Sequence, residues 1–484
     1  MKSFHSKNLL IALAFLALAV TLMLSVHGAG IGLQASQAPV TAPAAGAPPA
    51  GGPQAGGAPP ARGGGPGGAA AGRGGGGGGR GAPPLGDGPF DIGEGENRLH
   101  ITVITKGLDH PWGMAFLPNG DMLVTERAGR LRVVRKGVLD PTPIEGLPRI
   151  YVKGLGGLLD VTLHPNFAQN RFVYLAYSKP GEPDAANGGL AVYRAKWDGA
   201  ALTEGKDIFI AIPALGGAGT VPPVARGEIA PGTVARCCGQ GPADGNSEGS
   251  RLAFDKAGFL YITSGDRNYG ELAQDPSNDI GKILRLKDDG NVPSDNPFVG
   301  KAGYRPEIYS LGHRNPLGLT IDPITGDMWS TEFGPRGGDE LNRIQAGKNY
   351  GWMVVTNGTH YDGTLGRMGK NNVAGFEDPV DFWVPTCAGP CSFNPGNVAV
   401  YYGDKFPKWK GNLLVGSMGS WEGDTNFIMR VVLDDKGKMA SQTKIMTGLN
   451  QRVRDVRIGP DGFIYVLTDV ATPNGAMLRL EPGK

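Results

Sequence analysis

The sequence predicts an all-β fold, a six-bladed β-propeller, preceded by an apolar N-terminal segment and a tract rich in Gly and Pro. Three observations carry this prediction. A two-strand pattern recurs along the chain, its copies spread over residues 90–484, and no long run of 3.6-residue periodicity follows the first segment. A β-sandwich is the competing all-β fold, but it does not explain why one hairpin pattern recurs so regularly.

The first segment has the features of an export signal. Two lysines precede the apolar run Leu9–Val26, and the small residues Gly28 and Ala29 follow it. An uncleaved membrane anchor is the alternative, because the run is just long enough to cross a bilayer. We therefore expect a signal peptide or anchor at residues 1–29 and an exported protein, periplasmic or extracellular.

Residues 30–89 consist almost entirely of Gly, Pro, Ala and Arg. Such a stretch has too few apolar side chains to offset its chain entropy, so we predict a disordered linker that acts as a spacer or a membrane tether. The net charge of +2 and the absence of a basic block argue against nucleic-acid binding. Residues 90–484 are long for one domain unless that domain is built from repeats.

Four cysteines accompany the export signal: Cys237, Cys238, Cys387 and Cys391. In an oxidising compartment both close pairs could form disulfides, and three pairings remain open. Zinc is the weaker interpretation, because the spacings CC and CxxxC do not match the usual CxxC ligand pairs.

Each copy of the repeat is predicted to be a hairpin. Turn residues such as PNG, DKAG, PITG and PDG separate two runs of β-branched and aromatic residues. The copies are Gly113–Arg127, Leu158–Ser178, Arg251–Arg267, Leu317–Gly334, a weaker copy at Gly411–Gly437, and Val456–Asp469. A further short strand follows several copies, as expected for blades of three or four strands.

In a propeller the corresponding ends of these hairpins meet at one rim of the central channel. The residues at these ends are Glu126, Asp266, Glu332 and Asp469. We expect them to cluster there, although polar rings are common at propeller rims.

Long strings within the repeats are more specific than the repeat itself. They include LDHPWGMAFLPNGDMLVTER from Leu108, YSLGHRNPLGL from Tyr309, EFGPRGGDELNRIQAGKNYGW from Glu332 and RVRDVRIGPDGFIYVLTD from Arg452. Over residues 98–482 the chain resembles the glucose/sorbosone dehydrogenase family, and most closely its soluble aldose sugar dehydrogenases.

The resemblance implies a pyrroloquinoline quinone (PQQ) that chelates calcium at the channel mouth. It also implies a histidine that deprotonates a sugar hydroxyl, hydride transfer from the sugar C1 to the quinone, and a lactone product. Electrons would then pass to an external acceptor, a quinone or a cytochrome.

Four residues match the family's cofactor-binding motifs: Arg314 and Asn315 in its RN pair, and Arg452 and Arg454 in its RxR pair. A tricarboxylate cofactor needs fixed cations, and the planar guanidinium fork binds carboxylates in two places. Alternate residues of a strand share a face, so Arg452 and Arg454 would point the same way. The alternative is that these arginines form surface ion pairs.

Four further residues match calcium positions of the family. The carbonyls of Gly334 and Pro335 would hold the calcium of the cofactor, whereas the Glu340 carboxylate and the Tyr350 carbonyl would hold a second, structural calcium. Such a set of hard oxygens suits this ion. The alternative for Glu340 is a hydrogen bond to nearby backbone amides.

Three positions depart from the family pattern. Ser247 stands at the position of the catalytic histidine, Leu155 at that of a polar Gln or Glu, and Gly419 at that of a lysine. Serine cannot replace imidazole as a base, because its hydroxyl does not titrate near neutral pH.

These departures leave three interpretations open. In the first, the protein is a quinoprotein in which Glu248, or less readily Asp244, serves as the base near a Cys237–Cys238 disulfide. In the second, it is a non-catalytic propeller that binds a sugar or a protein. In the third, it is a calcium-dependent lactonase, although that chemistry does not need the two arginine motifs.

Overall fold

A computed structural model describes residues 82–181, 188–213, 246–335, 337–358, 373–384, 392–419 and 426–484. The predicted export signal, nearly all of the Gly/Pro linker, Asp244 and the four cysteines lie outside these residues. No helix in the described ranges is long and apolar enough to span a membrane. The helices that these ranges contain are single turns at Gly95–Asn97, Phe167–Asn170, Gly270–Ala273 and Pro407–Trp409.

Six antiparallel sheets make up the described fold, and the first three follow one another along the chain. Sheet 1 contains β3 (Pro111–Phe116), β4 (Met122–Glu126), β5 (Arg130–Arg135) and β6 (Val138–Leu139). Sheet 2 contains β7 (Leu158–Leu163), β8 (Phe172–Pro180), β9 (Gly188–Trp197) and β10 (Leu202–Ile210). Sheet 3 contains β11 (Gly249–Phe254), β12 (Leu260–Ser264), β13 (Lys282–Leu286) and β14 (Ile308–Leu311).

The remaining three sheets continue the order, and the last one joins the two ends of the fold. Sheet 4 contains β15 (Pro316–Ile321), β16 (Met328–Glu332), β17 (Asp339–Ile344) and β18 (Asp381–Trp383). Sheet 5 contains β19 (Pro395–Val400), β20 (Leu413–Ser417), β21 (Ile428–Leu433) and β22 (Met439–Ile445). Sheet 6 contains β23 (Val453–Ile458), β24 (Ile464–Thr468), β25 (Gly475–Pro482), β2 (Leu99–Leu108) and β1 (Phe90–Ile92).

The sheets form a closed ring. The first strands of consecutive sheets contact one another in order, and β23 of sheet 6 contacts β3 of sheet 1. Strand β2 pairs with β25, so a segment from the start of the fold completes the last sheet. The six-bladed β-propeller predicted from the sequence is thereby confirmed, with the first strand of each blade innermost.

Apolar side chains between neighbouring blades form the core. Between sheets 1 and 2, for example, Leu123, Val133, Val161 and Leu175 are almost completely buried in one cluster. Because side chains alternate across a strand, the second strand of each blade presents buried side chains to both neighbouring blades. The outer strands β10 and β22 are instead polar and largely exposed.

Every inner strand carries a bulge near its first residue. The register shifts after Pro111, Leu158, Gly249, Pro316, Pro395 and Val453. A bulge bends its strand and redirects the side chains beside it. We call the rim where these strands begin the upper rim.

Threonines in second strands join consecutive blades at the bulges. Thr125 Oγ1 donates to the carbonyl of Leu159, Thr263 Oγ1 to that of Pro316 at 2.8 Å, and Thr331 Oγ1 to that of Gly396 at 2.7 Å. All three threonines are fully buried, so these bonds satisfy carbonyls that the bulges remove from the ladder.

Four charged groups fill the channel axis. Arg251 Nη1 lies 3.0 Å from Asp160 Oδ1 and 3.3 Å from Asp455 Oδ1, and all three side chains are fully buried. Arg457 completes the network, with contacts of 3.0 Å to Asp160 and 3.1 Å to Asp455.

This network, which we call the axial network, contacts all six inner strands. Besides the four charged residues of β7, β11 and β23, the Met114 amide and the Asn397 side chain donate to Asp455, and Arg251 Nε donates to the Leu317 carbonyl. Burial alone would raise the pKa of Asp455, but Arg457 and Arg251 outweigh it and lower the pKa. The network therefore fixes the blades around a charged axis.

The sequence located most strands correctly but misassigned one blade. Five of the six hairpins coincide with the first two strands of a blade. The weaker copy, Gly411–Gly437, instead supplies the second and third strands of sheet 5, and the inner strand is β19. Strand β19 was not identified because residues 401–412 separate it from β20, a longer connection than in the other five hairpins.

The packed chain also begins before the predicted linker boundary at residue 90. Leu85 is buried in the core, Lys106 Nζ donates to its carbonyl at 2.7 Å, and Gln451 Nε2 donates to the Pro83 carbonyl at 2.8 Å. Residues from 82 onward therefore contact sheet 6.

We expect Arg251→Met to lower the free energy of unfolding by about 3–5 kcal/mol, because it leaves two buried carboxylates with one cation. The control is Arg343→Met, which breaks an ion pair with Asp327 whose partners are 42% and 28% exposed. That change should cost less than about 1 kcal/mol. Urea unfolding curves measure both, and equal losses would contradict the role of the axial network.

Candidate functional site

The upper rim carries four carboxylates at or just after the ends of second strands. Glu126, Asp266, Glu332 and Asp469 are all at least 95% buried there. All four lie at the expected rim, each at or just after the end of the second strand of a different blade. These carboxylates do not line solvent, because neighbouring cations and amides enclose them.

An apolar cluster lies across the channel mouth between the blades. Trp112, Leu159 and Leu317 come from bulged inner strands, Met418 follows β20, and Phe333 packs against these four. We call this cluster the apolar floor. It sits beside the axial network, since the Arg251 guanidinium lies 4.1 Å from the centroid of a Trp112 ring.

On one side of the apolar floor, two arginines and a histidine surround Asp469. Arg454 Nη2 contacts its carboxylate at 2.7 Å, Arg452 Nη2 at 3.1 Å and His110 Nδ1 at 3.0 Å. Burial alone would raise the pKa of Asp469, but Arg454, His110, Arg452 and Arg127 outweigh it and hold the pKa well below its ordinary value.

Arg454 itself is only 3% exposed, and its guanidinium lies 5.7 Å from the centroid of Trp112. Burial lowers its pKa to about 10 despite the charge of Asp469. Arg452 is more accessible, with a side chain 30% exposed. The RxR pair thus points to one carboxylate, and Arg454 reaches the apolar floor.

On the other side of the apolar floor lies Arg314. Its Nη1 donates to the Phe333 carbonyl at 3.3 Å, and its guanidinium lies 5.5 Å from the centroid of Trp352. Asn315 follows directly, and its side-chain oxygen accepts a bond from the Gly249 amide at 3.1 Å. Phe333 and Trp112 therefore connect the surroundings of Arg314 and Arg454 through one cluster.

Each of these two arginines, Arg314 and Arg454, has a buried Nε donor that is unpaired within the described part of the chain. Among the described residues, no partner accepts a hydrogen bond from Nε of Arg314 or from Nε of Arg454, although both atoms are buried. An unpaired buried donor costs about 1–3 kcal/mol. Two such donors beside an apolar floor fit a flat, anionic ligand, which is the chemistry of PQQ.

The Gly334–Pro335 loop is held in place by a buried carboxylate. Asp339 accepts bonds from the Gly334 amide at 3.0 Å, the Phe393 amide at 3.0 Å and the Asn394 amide at 2.9 Å. A Cβ on Gly334 would collide with the Gly337 carbonyl, so only glycine fits there. Carbonyls of a loop fixed in this way are suitable calcium ligands.

Glu340 and Tyr350 lie near a second carboxylate. The Asn342 amide donates to Glu340 Oε2 at 3.0 Å and to Glu332 Oε1 at 2.8 Å. His313, which lies 3.6 Å from Glu332, stacks on the Tyr350 ring at 4.7 Å.

The Tyr350 hydroxyl donates to the Arg343 carbonyl at 2.6 Å. The phenol oxygen is therefore engaged, and the backbone carbonyl of Tyr350 is the oxygen that would bind a metal. Within the described ranges, no three His, Cys, Asp or Glu side chains form a metal-binding group. The predicted structural calcium site would not form such a group, because its ligands are one carboxylate, that of Glu340, and backbone oxygens.

The three departures from the family pattern occupy different places. Leu155 is 46% exposed, Ser247 is 6% exposed, and Gly419 accepts a hydrogen bond from the Asn394 side chain through its carbonyl. Glu248, the predicted base, is 4% exposed and lies 3.1 Å from Arg267 Nη2 in a buried ion pair. If Glu248 accepted a proton, its carboxylate would lose the charge that pairs with Arg267.

Two aromatic residues of the site were missed from the sequence. Trp112 and Trp352 contact the two arginines, but their strings, HPWG and NYGW, served only to indicate the family. His110 showed no pattern either, and only the fold brings it to Asp469, 359 positions away. A bulge position directly after a strand start is the signal that could have identified Trp112.

We expect Asp469→Asn to lower the free energy of unfolding by about 3 kcal/mol at pH 7, because Arg454 would remain buried beside other cations. The folded-state pKa of Asp469 lies below its unfolded value near 3.9. Its stabilisation is therefore complete above that value and is lost as the pH falls through the folded-state pKa.

Urea unfolding of the wild type and the variant between pH 3 and pH 7 tests this, with the exposed-site variant Asp404→Asn as the control. The difference from wild type should be constant above about pH 5 and shrink below about pH 4. A difference that grows on acidification would contradict the assignment.

Comparison with known proteins bears on this geometry. The model of the glucose/sorbosone dehydrogenase family matches residues 108–221 and 236–479. The aldose sugar dehydrogenase YliI of Escherichia coli strain K12 is 38% identical over 386 residues, which cover 79% of this chain and 93% of that protein.

Solved structures agree. The apo form of the soluble aldose sugar dehydrogenase from Escherichia coli has a TM-score of 0.68 and 37% identity over 80% of this chain and all of that one. The PQQ-bound aldose sugar dehydrogenase from Streptomyces coelicolor has a TM-score of 0.58 and 26% identity over 80% of this chain and 98% of that one. The resemblance found in the sequence is thereby confirmed, and the chain belongs to the glucose/sorbosone dehydrogenase family, whose members include sugar-oxidising oxidoreductases.

Proposed function

We propose that this protein is a PQQ-dependent dehydrogenase that oxidises an aldose sugar to its lactone. The observation that carries the proposal is the pair of buried arginines, Arg314 and Arg454, whose Nε atoms lack described partners on either side of the apolar floor. An aldose sugar dehydrogenase among its relatives, and a PQQ-bound structure of the same fold, support the choice of substrate class and cofactor.

Arg314, Asn315, Arg452 and Arg454 would hold the cofactor. When bound, PQQ supplies an acceptor for the hydride that leaves the sugar C1. Guanidinium groups supply the matching charge for its carboxylates, and Arg314 and Arg454 contribute most because burial strengthens their interactions. The apolar floor would exclude water from one face of the ring system.

Calcium belongs to the same proposal. The carbonyls of Gly334 and Pro335 would contact the calcium of the cofactor, and Glu340 with the Tyr350 carbonyl would bind a second, structural ion. The fixed Gly334 loop and the paired carboxylates of Glu340 and Glu332 support this assignment.

The surroundings of the enzyme remain proposals drawn from the sequence. The protein would be exported to the periplasm or the extracellular space, released or tethered through its N-terminal segment. An external quinone or cytochrome would accept the electrons. The disulfides among Cys237, Cys238, Cys387 and Cys391 stay a prediction.

The deciding experiment loads the purified protein with PQQ and calcium and adds an aldose. We expect the absorbance of the oxidised quinone to be replaced by that of the reduced form, with an artificial acceptor dye sustaining turnover. Bound PQQ that no sugar reduces would favour the non-catalytic propeller, and lactone hydrolysis without PQQ would favour the lactonase.

Arg314→Gln and Arg454→Gln should each weaken PQQ binding by about 10- to 100-fold, since each removes charge-assisted hydrogen bonds worth about 1.5–3 kcal/mol. Titration of PQQ into the calcium-loaded protein measures this. The control is Arg343→Gln, an exposed arginine of β17 with no role at the upper rim. If all three variants bind PQQ like the wild type, the arginines do not form the cofactor site.

Removing calcium with EGTA should lower the thermal midpoint of the wild type. A ligand at 100 times its dissociation constant stabilises a protein by about 2.7 kcal/mol. In Glu340→Gln the midpoint should start lower and respond less to EGTA, whereas Asp404→Asn should respond like the wild type. A wild-type midpoint that does not change on chelation would contradict the structural calcium site.

A further inference from the structure

Ser247 lies directly beside the residues that would hold the cofactor. Its backbone has a positive φ of 49°, and its carbonyl accepts a bond from the Arg267 amide at 3.2 Å. Two residues on, the Gly249 amide donates to Asn315. Ser247 therefore lies at the upper rim, two residues before the backbone amide that contacts Asn315, and it occupies the sequence position of the family's histidine.

The Ser247 hydroxyl has two acceptors behind it. Its Oγ donates to Asn268 Oδ1 at 3.3 Å, and the hydroxyl also lies close enough to Asp266 to help lower the pKa of that carboxyl. Ser247 is thus the outermost member of a hydrogen-bonded row that leads into the protein.

Asp266 ends this row and is fully buried. Its Oδ2 accepts a bond from the Trp352 indole at 2.7 Å, and its Oδ1 accepts one from the Asn268 amide at 2.9 Å. Its own amide donates to the Arg314 carbonyl. The carboxylate therefore lies between the serine, the indole and the arginine of the proposed cofactor site.

Asp266 and Asp469 follow corresponding strands, but the charged groups around them differ. Two arginines and His110 contact Asp469, whereas Asp266 is faced by Arg314 as its charged neighbour and otherwise by the neutral groups of Asn268, Trp352 and Ser247. The nearby Arg267 is paired with Glu248.

Burial raises the pKa of Asp266, and Arg314 and the hydrogen bonds only partly offset it. Burial thus leaves this carboxylate with an affinity for protons that Asp469 has lost. A base needs such an affinity together with a path to the substrate.

We propose that Ser247 and Asp266 act as a proton relay in place of the missing histidine. This inference rests on the proposed function. The sugar C1 hydroxyl gives its proton to Ser247 Oγ while the Ser247 hydroxyl proton moves to Asp266. The C1–H bond breaks, its hydrogen and electron pair leave as hydride to the quinone oxidant, and C1–O becomes C=O. Asp266 then carries the proton until it returns to solvent.

The first test needs no cofactor. The indole ¹H–¹⁵N signal of Trp352, assigned by its loss in Trp352→Phe, should shift as Asp266 titrates, with a midpoint above the ordinary Asp value near 3.9. The shift should vanish in Asp266→Asn. An indole signal that does not titrate above that value would overturn the relay.

The second test uses the enzyme loaded with PQQ and calcium. Asp266→Asn should lower kcat by about 100- to 10,000-fold, the range for loss of a general base, and should remove the acidic limb of the pH profile. PQQ affinity should change much less, which separates the relay from a structural role. Wild-type kcat in Asp266→Asn would overturn the proposal.

Two further variants keep the proposal testable if Asp266→Asn folds poorly. Ser247→Ala should lose the relay while keeping the Asp266 carboxylate itself and its bonds to Trp352 and Asn268, and Ser247→His should move the acidic limb towards the ordinary histidine pKa near 6.5. Glu248→Gln should retain the acidic limb of the pH profile. If the limb disappears in this variant, the base is Glu248 and not Asp266.

The outcomes also separate the relay from the proposed function. If the loaded wild type oxidises no aldose, the proposed function and the relay both fail, whatever the indole signal does. If it oxidises an aldose and Ser247→Ala and Asp266→Asn do so equally well, the relay alone fails.

Discussion

The axial network is the constraint on which the rest of the structure depends. Arg251 and Arg457 face Asp160 and Asp455 in the channel, and groups from all six inner strands bind them. Buried charges are tolerated only when their partners are fixed, so each blade is held in one position about the axis. A propeller filled in this way has a closed floor under its upper rim, which a ligand can lie against.

The bulges convert this closed axis into a site. Each inner strand bends at its start, and the residues beside the bends include Trp112, Asp160, Arg251, Asn397 and Arg454. The same type of bulge thus directs some side chains into the axial network and others towards the apolar floor. The rim carboxylates then differ through their neighbours: Arg454, Arg452 and a hydrogen bond to His110 hold the pKa of Asp469 low, whereas burial raises the pKa of Asp266, which has Arg314 as its charged neighbour.

A feature of the fold or the site could be predicted from the sequence when the residues that form it lie close together in the chain. The hairpins were predicted because turn residues and alternation are local, and β19 was missed because a longer connection, residues 401–412, separates it from β20. Arg314 and Arg454 were found through motifs. Their unpaired donors, the pairing of Glu248 with Arg267, and the contact of His110 with Asp469 depend on residues far apart in the chain, which only the closed ring brings together.

The position of PQQ in a crystal of the loaded protein tests the central claim most directly. The account predicts that its carboxylates accept hydrogen bonds from the guanidinium groups of Arg314 and Arg454, and that its ring system lies over the apolar floor beside Ser247. Density for PQQ at the lower rim or on the outer surface, with both arginines unchanged, would contradict the account.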